Sequence, residues 1–98
     1  MRREGASRHG KFLTLAVLEV ENGGLFRAGI ITPRRIGGAI VRHRVRRRLR
    51  EIVRRHQHEI RSDLWLVLIA KSDAAETDYH ALEDEWLRLA KRASILQT

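Results

Sequence analysis

The stretch from Arg34 to Arg55 carries two patterns at once, and together they restrict how the chain can fold. It contains ten arginines and one acid, Glu51, so half of the 20 Lys and Arg residues lie in less than a quarter of the 98-residue chain. The apolar residues recur at steps of mostly three or four, which is the period of one helix face: Val41, Val45, Leu49, Ile52 and Val53. The sequence therefore predicts a helix from about Ala39 to His56 that packs on an apolar layer.

The opposite side of this helix is a broad cationic face. At about 100° per residue, the positions that gather there are His43, Arg47, Arg50 and Arg54, flanked by Arg44 and Arg46. A guanidinium is a planar fork that binds two phosphate oxygens at once and stacks on bases, which favours a nucleic acid as partner. The alternative is a solvated charged face, but such a face normally intersperses acids, because like charges at i, i+4 cost a helix about 0.2–0.5 kcal/mol per pair. A membrane surface fits less well, since this helix has no Trp or Phe for the interface.

Composition indicates one small globular domain over residues 1–98 with a polyanionic partner. The net charge is +8, the sequence pI is about 11.4, and the 43% hydrophobic content is enough for a single core. There is no cysteine, which excludes disulfides and thiolate metal sites and is compatible with the cytoplasm. Residues 1–11 lack the apolar segment of a signal peptide, and the longest apolar run, Leu64 to Ala70, is too short to cross a membrane.

The remaining patterns predict the strands. Residues 1–11 are basic and contain glycine and serine, so we expect either a loose, flexible arm or the tail end of a missing element. Two apolar stretches, Phe12 to Val20 and Leu25 to Ile31, flank the turn signal Glu21 to Gly24 and predict an antiparallel hairpin. The near-continuous apolar run from Asp63 to Ala70 predicts a strand buried on both faces.

A second amphipathic helix follows, with Thr77 or Asp78 as its N-cap. Its outer face is acidic early, and Glu83, Asp84 and Glu85 are assigned to this solvated face rather than to acid–base chemistry. The element order is therefore β-β-α-β-α. Because a strand, a long helix and another strand imply a parallel pair joined by a crossover, the predicted fold class is an α+β two-layer sandwich. Both helices would cover one face of the sheet and leave the other partly open.

Several segments together resemble a known family. Gly29 to Gly37 (GIITPRRIG) and Gly38 to Glu51 (GAIVRHRVRRRLRE) are similar to the signature of the bacterial ribonuclease P protein component. That signature has a basic pair before a hydrophobic-Gly-Asn-Ala-Val segment, then an Arg-Asn-Arg box and a second basic pair. Downstream, Asp63 to Ala70 resembles the family's Asp-hydrophobic strand, and Asp78 to Leu89 resembles its terminal helix. The resemblance covers roughly residues 2–93.

The resemblance implies a ribosomal-protein-S5-domain-2-like fold whose crossover is left-handed, against the usual right-handed rule. It also implies a family N-terminal helix that is largely missing here. The implied function is that of the protein subunit of ribonuclease P, an endoribonuclease whose RNA carries the chemistry and holds the Mg²⁺ ions. The implied partners are that catalytic RNA and precursor tRNA, whose 5′ leader is removed to give the mature 5′ end. No obligate protein partner is evident.

Site residues follow from the resemblance position by position. The RNA-binding residues it implies, together with Arg54 from the cationic face, are Arg34, Arg35, Arg42, His43, Arg44, Arg46, Arg47, Arg50 and Arg54. Two positions depart from the family pattern, since His43 and Gly38 stand where the family has asparagine. Phe12 is the candidate for leader binding because single-stranded bases stack on aromatic rings, and plain core packing is its alternative. No catalytic residue and no metal ligand is expected in the protein itself.

Other functional interpretations are weaker. A non-enzymatic ribosomal-type or RNA-chaperone protein would show the same helix, and a DNA-binding architectural protein has no helix-turn-helix spacing to support it. His56 and His58 point to different sides of a helix, so they do not predict a metal site. Trp65 and Trp86 are interpreted as core or sheet-packing residues.

Overall fold

The computed structural model of the chain describes residues 5–19, 27–61 and 64–96. In these ranges the elements are β1 (Gly5–His9), β2 (Leu13–Glu19), β3 (Arg27–Ile31), α1 (Ala39–His56), β4 (Leu64–Ala70) and α2 (Tyr79–Arg92). Short 3₁₀ turns occur at Arg34–Ile36, Gln57–Glu59 and Ser72–Glu76. Helix α1 has the predicted bounds. Helix α2 is capped by Asp78, whose side chain accepts a hydrogen bond from the backbone N–H of Ala81 at 2.8 Å.

The strands form one sheet in the order β1-β2-β4-β3, in which β3 runs parallel to β4 and the other pairs are antiparallel. The predicted parallel crossover through α1 is confirmed. The predicted hairpin of the second and third strands is wrong, because β4 lies between β2 and β3. As a central strand, β4 has both backbone edges paired, which suits the most apolar segment of the chain. The predicted turn at Glu21 to Gly24 lies outside the described residues.

The expectation of a loose arm is wrong for the part of it that forms β1. This strand pairs with β2 from Gly5 opposite Leu18 to His9 opposite Thr14, and the backbone N–H of Gly10 donates to Leu13 O at 2.9 Å. The order is therefore β-β-β-α-β-α. Without β1, the outer edge of β2 would present unpaired backbone groups. An edge strand needs backbone pairing rather than apolar side chains, so its sequence can be polar.

One face of the sheet carries the core. Register places Leu15 of β2 directly opposite Leu68 of β4, and both are fully buried. The helices cover this face with buried side chains, namely Val45, Leu49, Ile52 and Val53 from α1, and Leu82, Trp86, Leu89 and Ala90 from α2. The predicted two-layer sandwich is therefore confirmed. In the described part of the chain, no helix is both long enough and apolar enough to span a bilayer.

The other face of the sheet is largely uncovered by the described residues. Trp65 is 43% exposed and Ile31 is 48% exposed, while Val67 and Ile69 are half-buried. The prediction that β4 is buried on both faces is therefore wrong. Of the two interpretations of Trp65, core or sheet packing, the exposure rules out the core. The guanidinium of Arg27 lies 5.9 Å from the centre of the Trp65 ring.

Candidate nucleic-acid interface

The segment before α1 is shaped by a glycine. Gly37 has φ of 151°, a conformation that side chains rarely adopt, and a Cβ at this position would lie 2.9 Å from Val41 Cβ. The chain can therefore turn sharply out of the 3₁₀ turn at Arg34–Ile36 and enter the helix. Ile36 is buried, whereas Arg34 and Arg35 remain exposed on the surface.

Helix α1 orients the remaining predicted RNA-binding residues. Its buried side chains fix its rotation on the sheet, and its last turn ends in basic residues, which suits the negative end of the helix dipole. Four of its predicted RNA-binding residues are exposed, namely His43, Arg47, Arg50 and Arg54. The three that are half-buried are Arg42, Arg44 and Arg46.

Four of these arginines form a row beside β3, which we call the β3 row: Arg42, Arg46, Arg50 and Arg54. A shallow depression next to Thr32 is lined by Arg42, His43 and Arg46. A longer groove against the strand is lined by Arg46, Arg50 and Arg54. Arg46 belongs to both concavities, so the row is continuous along this flank of the helix. The structure therefore brings residues of the predicted Arg-Asn-Arg box and the following basic pair to one surface.

Arg46 is the best-fixed member of the row. Its Nη2 donates a hydrogen bond to Thr32 Oγ1 at 2.7 Å, and Thr32 itself is buried. Its Nε is buried and has no hydrogen-bond partner among the described residues.

The opposite flank of α1 uses arginines differently. Arg44 Nη2 donates to Ala75 O at 3.3 Å, and Arg48 Nη1 donates to Thr77 O at 2.8 Å. Both side chains thus hold the segment that precedes α2. Arg44 was predicted to bind RNA together with Arg46, but the structure places the two side chains on opposite flanks of the helix.

The C-terminal end of α1 is linked to α2. A carboxylate oxygen of Glu83 accepts a hydrogen bond from His56 Nε2 at 2.8 Å, and the His56 ring stacks on Trp86 with 5.5 Å between centroids. A hydrogen bond with Tyr79, and then the charge of Glu83, raise the pKa of the Arg55 guanidinium above its ordinary value. Arg55 adds a further cation next to Arg54, a member of the β3 row. Glu83 is half-buried and engaged, so its assignment to a solvated face is wrong.

Phe12, the candidate for leader binding, lies in the turn between β1 and β2. It is half-buried and packs partly against the core, and the ammonium of Lys11 lies 5.8 Å from the centre of its ring. The turn is held on one side by Lys71, whose Nζ donates to Gly10 O at 2.6 Å and whose backbone N–H donates to Phe12 O at 2.8 Å.

Glu85 holds the same turn from the other side, and sequence reasoning missed it. Glu85 is 3% exposed, and its carboxylate accepts hydrogen bonds from the backbone N–H groups of Lys11 at 2.9 Å, Phe12 at 2.7 Å and Leu13 at 2.9 Å. The assignment of Glu85 to a solvated face is therefore wrong. A signal was present, because Glu85 follows Leu82 by three positions and the helical period places it on the apolar side.

Comparison with known proteins agrees with this architecture. Residues 1–94 match the sequence model of a family described as Ribonuclease P. The ribonuclease P protein component of Natranaerobius thermophilus is 35% identical over 95 residues, which cover 97% of this chain and 82% of that protein. The solved RNase P protein from Thermotoga maritima has a TM-score of 0.80 and 27% identity over 91% of this chain and 84% of its own. The RNase P protein of Staphylococcus aureus, at 20% identity, shares the fold with a TM-score of 0.86 over 95% of this chain and 84% of its own.

Proposed function

Because this chain belongs to the ribonuclease P protein family, we propose that it is the protein subunit of a ribonuclease P holoenzyme. In this role it binds the catalytic RNA and the 5′ leader of precursor tRNA, and it assists the Mg²⁺-dependent endonucleolytic step that releases the leader. The RNA performs the hydrolysis. The complex acts in the cytoplasm.

The β3 row supports this proposal most directly, because it lies on a helix whose rotation is fixed by the core. Val45, Leu49 and Ile52 are fully buried, so the opposite side of α1 keeps its arginines at the surface. Binding of several phosphates by fixed cations releases condensed counterions, which supplies affinity for a folded RNA. Because Arg46 is held by Thr32, part of this surface is ordered before RNA arrives, and less entropy is lost on binding.

Leader binding is supported by the turn that carries Phe12. An aromatic ring with an adjacent ammonium suits a single-stranded nucleotide, because the base can stack while the phosphate meets the cation. Hydrogen bonds to Glu85 and Lys71 hold this turn in one conformation. The protein thus contributes binding and orientation at this site, and no proton transfer is assigned to its side chains.

The described residues do not fit a protein site for Mg²⁺. Among them, no three His, Asp or Glu side chains lie together in an arrangement that could hold a metal ion. The cationic surface of α1 would also repel a divalent cation. The proposal therefore places the Mg²⁺ ions on the RNA and assigns no chemical step to the protein.

The test is cleavage of precursor tRNA at low Mg²⁺ by a bacterial ribonuclease P RNA, with and without this protein. We expect the protein to stimulate cleavage and to preserve the correct mature 5′ end. The double variant Arg50→Ala/Arg54→Ala, which removes two exposed members of the β3 row, should lose most of this stimulation. Its matched control is Lys91→Ala/Arg92→Ala, which removes the same charge from exposed positions of α2 and should stimulate like the wild type.

Two results would contradict the proposal. If the wild-type protein binds the RNA tightly but does not stimulate cleavage, the chain is a non-enzymatic RNA-binding protein. If both double variants lose stimulation equally, net charge rather than the surface of α1 determines the effect.

A further inference from the structure

The groove between β3 and α1 has an apolar floor, and phosphate binding alone would not need one. It has a volume of about 460 Å³, which is within the usual range of small-ligand sites. The floor is formed by Ala28, Ile30 and Val53, and the rim and one end are formed by Arg46, Arg50, Arg54 and Gln57. The residues that line the groove therefore offer apolar contact below and positive charge above.

The floor exists because the helix layer stops short of the edge of the sheet. Ala28 and Ile30 pair with Leu66 and Leu68, and all four lie on the helix-facing side. Leu66 and Leu68 are buried, whereas Ile30 is half-buried and Ala28 is exposed. The edge strand β3 thus presents apolar surface that the other described residues leave uncovered.

The rim presents cations at regular intervals along the groove. Arg46, Arg50 and Arg54 are four residues apart, which is about 6 Å along the helix axis. A guanidinium plane can also stack on a base, so the rim can contact both parts of a nucleotide.

Gln57 adds a group that can recognise a base edge. It follows the last residue of α1 and is exposed at the end of the groove. Its amide offers two donors and one acceptor, the combination that pairs with the polar edge of a nucleobase. Apolar floor, planar cations and a terminal amide are together the chemistry of a nucleoside site, whereas a free phosphate would not require the floor.

We propose that this groove binds one unstacked nucleotide of the catalytic RNA, with its base against Ala28 and Ile30 and its flanking phosphates on the arginine rim. This inference rests on the proposed function, because it assumes that the catalytic RNA binds the β3 row. It differs from general phosphate binding in that affinity depends on an uncharged surface.

The test replaces Ala28 without changing any charge. Ala28→Phe fills the groove, and Ala28→Val fills less of it with a residue that suits a strand. The matched control is Ser7→Phe, which places the same side chain on β1, the other edge strand, at a position that is also exposed. The measurement is the Kd for a bacterial ribonuclease P RNA at several salt concentrations, after thermal unfolding has confirmed that each variant is folded.

We expect Ala28→Phe to weaken binding about tenfold at every salt concentration, which is the effect of losing one base contact. The slope of log K against log salt should stay unchanged, since no phosphate contact is removed. Ala28→Val should fall between Ala28→Phe and the wild type, and Ser7→Phe should stay within about twofold of the wild type. Base-specific chemical modification of the RNA should show one base that the wild type protects and that Ala28→Phe leaves reactive.

Equal affinity of Ala28→Phe and Ser7→Phe would overturn the inference while leaving the proposed function intact. A loss of affinity accompanied by a slope lower by one unit or more would also overturn it, because that result reports displaced phosphates. If the wild-type protein does not bind the RNA at any salt concentration, the proposed function itself fails.

Discussion

The buried carboxylate of Glu85 accepts a hydrogen bond from the backbone N–H of Phe12 at 2.7 Å, and so joins the start of β2 to the middle of α2. The neighbouring N–H groups of Lys11 and Leu13 donate to the same carboxylate. Hydrogen bonds to a charged acceptor are the stronger kind, and three of them converge on one side chain. The position of the candidate leader-binding turn thus depends on a residue of the second helix.

Replacement of this carboxylate should cost stability. Glu85→Ala leaves up to three backbone donors without their acceptor, and we expect the free energy of unfolding to fall by about 2–4 kcal/mol. Urea denaturation measures this change. The control is Asp84→Ala, at the exposed neighbouring position, which should stay within about 0.5 kcal/mol of the wild type. A similar small loss for both variants would show that the turn does not depend on Glu85.

Gly10 should be intolerant of even a methyl group. A Cβ at this position would overlap the carboxylate of Glu85, whereas a Cβ at Gly29 would meet nothing within 4 Å. We expect Gly10→Ala to lower the free energy of unfolding by about 1–3 kcal/mol, the usual cost of forced overpacking. Gly29→Ala should be neutral or stabilising by up to about 1 kcal/mol, because it restricts the unfolded chain.

A double-mutant cycle tests whether Glu85 is the cause of this intolerance. In the Glu85→Ala background the space beside Gly10 is vacated, so Gly10→Ala should cost clearly less than it does in the wild type. Equal costs in both backgrounds would assign the effect of Gly10→Ala to the backbone of the turn instead. Unfolding curves of the four proteins, measured in the same buffer, provide the comparison.

The apolar periodicity predicted the helices because a helix is specified by the spacing of residues within its own segment. The apolar steps from Val41 to Val53 fixed α1 at its observed bounds, and Asp78 supplied a cap with a known mechanism. The parallel pair of β3 and β4 followed from the helix between them. The exposed surface of the candidate site was predictable for the same reason, because the buried apolar face of α1 determines which of its residues lie on the opposite side.

Strand order could not be predicted from such patterns, and the buried acid was missed although it follows the apolar period. The apolar pattern of β2 does not indicate whether β3 or β4 pairs with it, because the strand order depends on how the whole sheet packs. The polar strand β1 has no apolar alternation, because an edge strand is held by backbone pairing. Glu85 follows the apolar period, but its charge outweighed its position, and its three donors come from the far end of the chain.

Tryptophan fluorescence should separate the two faces of the sheet. Trp65 is 43% exposed with a guanidinium near its ring, whereas Trp86 is fully buried under His56. Iodide should therefore quench the emission of Trp65 strongly, helped by the attraction of Arg27, and leave that of Trp86 nearly unchanged. We expect Trp65→Phe to remove most of the quenchable emission, while Trp86→Phe should leave it in place. Strong quenching in Trp65→Phe would mean that the core opens around Trp86.

Two adjacent arginines of α1 should respond differently to the same substitution. Arg47 is exposed, whereas Arg48 is half-buried and donates to Thr77 O at 2.8 Å. We expect Arg47→Ala to lower the slope of log K against log salt by about one unit, because it removes a phosphate contact. Arg48→Ala removes the same charge, but it should mainly lower the free energy of unfolding, by about 1 kcal/mol, through loss of a hydrogen bond to the backbone. Titration of a bacterial ribonuclease P RNA at four salt concentrations, together with urea denaturation, distinguishes the two. An equal fall in slope for both variants would mean that net charge, rather than the direction in which each guanidinium is held, determines RNA affinity.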